Sequence, residues 1–195
     1  MAQQNTTTQQ ARTVSTVDRG KLDVKALVLL AVLLAAGFIL NFTVGKVISS
    51  ATGGAISPEF IISAFCLTIL VVRPNVGQAL VIGLISAAVI QITTTSPFVD
   101  FAAEGIAAMV MALIVNAGMR GSAKNFIPAL GTFVTTVLSG VIFMVIKLAL
   151  FGFSAEMVAV LPAAMLPVIF ATAVFNAVLV AALYVPVKMA LKVTD

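Results

Sequence analysis

The stretch ALVLLAVLLAAGFILNFTVG, residues 26–45, contains no ionisable side chain. At about 1.5 Å of rise per residue it would form a helix about 30 Å long, the thickness of a bilayer's hydrocarbon core. Further uncharged runs follow at 60–72, 74–99, 105–119, 125–146 and 157–187. Each is read as holding one apolar helix, which makes about six membrane spans joined by short links. The composition agrees: 61% of the 195 residues are hydrophobic, 9% are charged, and the mean hydropathy is +1.18. A soluble domain would be about 45–50% apolar and about 25% charged, so an ordinary water-soluble globule is excluded.

The expected fold is therefore an all-α polytopic membrane protein of six transmembrane helices. Residues 1–20, rich in Gln and Thr, read as a disordered cytoplasmic tail, and residues 21–195 as one transmembrane domain. The first span runs to about Val44 and a Gly-rich link follows. The second is short, about Ser57 to Val72. Arg73-Pro74-Asn75 is a turn, since proline disfavours helix at the residue before it. The third, fourth and fifth spans are placed at about Val76–Ile92, Phe101–Met119 and Ile127–Phe151, with Pro128 tolerated in the first turn of the fifth. Run 157–187 is too long for one span at modest tilt, and Pro162 and Pro167 offer breaks. Residues 157–166 are therefore expected as a half-buried loop or short helix before a sixth span, Val168–Leu191.

Basic residues set the expected orientation. With the N-terminus inside and six spans, nine of the eleven Lys and Arg residues are cytoplasmic, leaving Lys46 and Lys147 on or near the outside. The positive-inside rule then gives an N-in, C-in multi-pass protein of a cell membrane. The net charge of +4 is loop bias of this kind, which argues against nucleic acid as a partner.

Missing residue types narrow the chemistry. There is no histidine, and Cys66 is the only cysteine, so Ser-His and Cys-His pairs, histidine-held zinc and an intramolecular disulfide are all excluded. A G-x-x-x-x-G-K-[ST] phosphate loop is absent. No catalytic residue, cofactor or metal is expected, and transport driven by ATP would need a separate engine. An intramembrane hydrolase would require a Ser-Lys dyad, and Lys147 has no serine within one helical turn.

The polar side chains at membrane depth gather on the outer side. Asn41 falls about 25 Å along span one, Gln91 about 22 Å along span three, Lys147 about 30 Å along span five, and Asn176 about 12 Å down span six. Glu59 and Glu104 start spans two and four, and Lys46 and Asp100 lie in outer links. Ionisable groups at such depth mark a cavity or pathway unless they snorkel to water. Asn41, Glu59, Gln91, Glu104, Lys147 and Asn176 are therefore the candidate substrate-binding residues. Lys147 would hold a carboxylate and Glu104 an amine, or the two would pair with each other. Gln91 and Asn41 equally suit helix–helix hydrogen bonds. The inner half holds Asn116 and hydroxyls such as Thr132, Thr135 and Thr136, expected to bond their own helix backbone. Ala31 and Ala35, four apart on one face of span one, form a flat strip for another helix, either within the chain or on a partner.

The Ala31/Ala35 strip, the Arg73-Pro74-Asn75 turn leading into Leu80-Val81-Ile82-Gly83, and the Thr93-Thr94-Thr95 to Pro97 link can be taken with three further features. These are Thr136-Val137-Leu138-Ser139-Gly140-Val141, Leu161-Pro162-Ala163-Ala164, and Asn176 with Tyr184. Together, over about residues 24–192, they resemble the substrate-binding S component of an energy-coupling-factor (ECF) transporter, most closely the tryptophan group. The resemblance implies capture of a micronutrient from outside, tryptophan or a similar aromatic amino acid or a vitamin. It also implies delivery with a shared transmembrane coupling subunit and two ATPases. Ala31 and Ala35 would contact the coupling subunit, and links 45–57, 93–100 and 152–166 would gate and line the pocket. Glu104 stands where the tryptophan group leads one to expect aspartate. The alternative class is a self-sufficient small secondary transporter or channel, which polar groups through the full depth or repeated halves would favour.

Overall fold

The computed structural model describes residues 22–94, 96–121 and 124–192; the expected tail, residues 1–20, lies outside them. Six helices account for nearly all of the described chain: α1 Val24–Ala51, α2 Phe60–Val72, α3 Val76–Ile90, α4 Val99–Gly118, α5 Ile127–Phe151 and α6 Ala155–Ala190. Four of them (α1, α4, α5 and α6) are long and apolar enough to cross a membrane. The other two, of 13 and 15 residues, are apolar but shorter. The protein is thus an all-helical bundle of membrane-compatible composition.

The shortest helix is the centre. Twelve of the 13 residues of α2 are buried, and it touches all five other helices. A helix that is apolar all round belongs inside a bundle, because no face prefers water. Around it run α1, α3, α4, α5 and α6, with neighbouring helices packed side by side. The ring is open between α6 and α1, which make no close approach among the described residues. Residues 57–60 bridge that gap at one end. Thr172 of α6 donates to the Ser57 carbonyl at 2.9 Å and accepts from its N–H at 3.3 Å, while Asn41 of α1 accepts from the Phe60 N–H at 2.9 Å.

Local signals in the turns hold as read. Asn75 caps α3 in a reciprocal capping box with Gln78, Arg73 takes the left-handed conformation that ends α2, and Pro128 lies in the first turn of α5. Two expectations fail. The first helix does not stop near Val44: it passes through a π-helical turn, Asn41–Gly45, and continues to Ala51, so the expected link 45–57 shrinks to residues 52–59. Nor do residues 157–166 form a loop or separate helix. They are the first part of α6, which runs unbroken for 36 residues through Pro162, Pro167 and Pro186. Each proline removes one backbone hydrogen bond, and in an apolar setting every alternative to helix would expose several more unpaired groups. Ser154 starts this helix by accepting from the Met157 N–H at 3.2 Å.

Candidate functional site

A cavity of about 460 Å³ opens at the end of the bundle where α2 and α4 begin. Every perimeter helix contributes: Asn41 from α1, Ile90 from α3, Asp100 and Glu104 from α4, Thr136, Ser139 and Phe143 from α5, and Met165, Val168 and Thr172 from α6. Ser57 and Glu59 enter from the strap ahead of α2, and Thr93 and Thr94 from the α3–α4 link. Its size and mixed lining are those of a small-molecule site.

Close backbone approach places Glu104. A Cβ at Gly83 of α3 would stand 2.5 Å from the Glu104 carbonyl oxygen, so only glycine lets α4 lie this near. The Glu104 side chain, 3% exposed, reaches α5, where the Ser139 hydroxyl donates to Oε1 at 2.8 Å. Its other oxygen, Oε2, has no partner. Asn176 of α6 is fully buried beside the cavity; its Nδ2 donates to the Glu59 carbonyl at 3.3 Å and to Thr136 Oγ1 at 3.4 Å, and its Oδ1 has no partner.

Of the six candidate residues, Asn41, Glu59 and Glu104 line the cavity, and Asn176 lies beside it, supporting the strap. Gln91 serves the link instead. It donates to Asp100 Oδ2 at 3.2 Å and accepts from the Phe98 N–H at 2.9 Å, and so orients Asp100, a lining residue. The expected Lys147–Glu104 partnership is not formed. Lys147 instead turns back along α5 toward Phe143, a residue of the cavity lining. Its Nζ stands 5.1 Å from the centroid of the Phe143 ring. Similarly, Lys46 stacks on Phe42 at 4.5 Å. Ala31 and Ala35 are both exposed on the outer face of α1. The close helix contact on α1 is made by Gly37, where a Cβ would stand 2.9 Å from the Phe60 carbonyl oxygen.

Sequence reasoning missed the hydroxyls. Thr136, expected to bond its own backbone, lines the cavity, as do Ser139 and Thr172. Thr132 and Thr135, given the same expectation, are buried with no partner, and both face Cys66 of α2. The signal was present as spacing. Residues 132, 135, 136 and 139 follow the i, i+3, i+4, i+7 pattern that places side chains on one helical face.

Compared with known proteins, the chain matches no family model, no curated protein and no solved structure.

Proposed function

We propose that the chain is the substrate-capture subunit of an ECF-type importer, binding a small micronutrient in the cavity and passing it inward with a coupling subunit and ATPases. The observation that carries this reading is the cavity itself. It is a roomy, carboxylate-bearing chamber at one end of an otherwise tightly packed bundle, and in the positive-inside orientation that end faces outward. The exposed Ala31/Ala35 strip supports it, because two small residues one turn apart on an otherwise apolar outer face leave room for another helix. Nothing in the sequence supplies ATP hydrolysis, so the engine lies on partners.

The experiment is co-purification from the native host with wild type and with the double variant Ala31→Phe/Ala35→Phe. The wild type should bring down a multi-pass partner and ATPases. The variant should lose them while retaining its melting temperature, since both positions are exposed. Co-purification unaffected by the variant would remove the strip from the proposal.

A second reading, a self-sufficient transporter, has one observation in its favour. The unpartnered hydroxyls of Ser63, Thr132 and Thr135 extend polar character from the cavity into the bundle's interior. Uptake into liposomes by the chain alone, without ATPases, would establish that reading and end the first.

A further inference from the structure

The hydrogen bonds around the cavity leave acceptors over, and few donors. Ser139 spends its hydroxyl proton on Glu104, Thr172 donates to the Ser57 carbonyl, and Asn176 Nδ2 is shared between the Glu59 carbonyl and Thr136. Left unpaired are Glu104 Oε2 in the lining and Asn176 Oδ1 beside it, on residues 3% and 0% exposed. A buried acceptor without a donor is unfavourable, the more so when it belongs to a carboxyl group, so this site gains most from a ligand that donates.

Charge points the same way. Glu59, Asp100 and Glu104 all line the cavity, and none of its lining residues is Lys or Arg. Lys147 of α5 lies at the edge of the lining: its Nζ stands 5.1 Å from the centroid of Phe143, a lining residue, and its charge acts on Asp100, so it is already opposed by one of the three carboxyl groups. A metal ion is not favoured, because among the described residues no three of His, Cys, Asp and Glu converge closely enough to hold one. Apart from the Asn41 amide and a set of Ser and Thr hydroxyls, the rest of the wall is apolar, with Ile62, Ile90, Phe143, Met165, Val168 and Ile169.

We infer that the cavity selects an organic monocation, a protonated amine on an apolar or aromatic body without a carboxylate, with the ammonium donating to Glu104 Oε2. The inference rests on the capture reading and narrows its substrate class. A zwitterion would bring further acceptor oxygens into a chamber already lined by three carboxyl groups and by no basic residue.

Three probes share an indole ring and differ in charge at pH 7: tryptamine, tryptophan and indole-3-propionate. Binding of each to the purified full chain in detergent would be measured by calorimetry. In parallel, small molecules retained from a host extract would be identified by mass spectrometry. Tryptamine should bind at least tenfold more tightly than tryptophan, and indole-3-propionate not at all. Glu104→Gln should erase that preference while the melting temperature stays near wild type. If that variant does not fold, Asp100→Asn should reduce the preference, and the probe series on the wild type decides the question alone. Tryptophan or indole-3-propionate binding as tightly as tryptamine, or an extract ligand that is an anion or zwitterion, overturns the cation class and leaves the capture reading standing. If none of the probes binds, a cationic extract ligand supports the inference, and an empty extract result ends both it and the capture reading.

Discussion

Glu104 is held by one oxygen, through Ser139, and its other oxygen has no partner. That arrangement fixes the carboxylate's direction while leaving capacity unused, as suits a binding site and not a structural polar cluster, where every acceptor is matched. Thr172 has the opposite role. Its hydroxyl both gives to and takes from Ser57, so both of its hydrogen bonds serve to tie the strap to α6. Thr172→Val keeps the shape and removes both bonds. It should lower stability by about 1–2 kcal/mol and speed amide hydrogen exchange at residues 55–57. Unchanged exchange there would mean that Asn41 and Asn176 hold the strap unaided. At this scale the sequence disclosed the carboxylates and amides, because an ionisable or amide group in an apolar run is conspicuous. Ser139, Thr136 and Thr172 stayed hidden because a helical hydroxyl has a default partner one turn back. Only the neighbouring helix reveals that it turned elsewhere.

The helices divide into those whose ends are written locally and those whose ends depend on neighbours. The α2–α3 junction was legible as a turn from Pro74 alone, and the structure adds the Asn75–Gln78 capping box. The π-turn that carries α1 past Asn41 has no comparable local signature, and the prolines of α6 are tolerated only because the surroundings penalise an open backbone more than a lost bond. Packing between helices depends on glycines that sequence reading passed over. Gly83→Ala adds one carbon against the backbone of α4, with nothing able to move aside. It should cost about 1–3 kcal/mol and weaken ligand binding by displacing Glu104. The matched control is Gly77→Ala in the same helix, whose Cβ would meet only the Asn75 side chain at 3.5 Å and which should be close to neutral. Equal melting temperatures for the two variants would show that α3 and α4 can part without loss.

For the whole molecule, counting uncharged runs sufficed for six helices, because each run forms the body of one helix, although two of the six are shorter than a span requires. It could not show that the shortest helix is the hub, since burial on every side and burial in lipid leave the same apolar composition. Nor could it show that Lys147 rests against Phe143 and does not pair with Glu104, since both belong to the same end of the bundle. The orientation inferred from the basic residues can be read directly owing to Cys66, the chain's one cysteine, which is fully buried in α2. A thiol so enclosed is silent to aqueous maleimides, so the native protein is a dark background on which one new thiol becomes a compass. In intact cells, Ala55→Cys in the strap region should take up a membrane-impermeant maleimide, and Gly121→Cys at the opposite end should react only after lysis. The reverse pattern would turn the cavity toward the cytoplasm and make the protein a candidate for export.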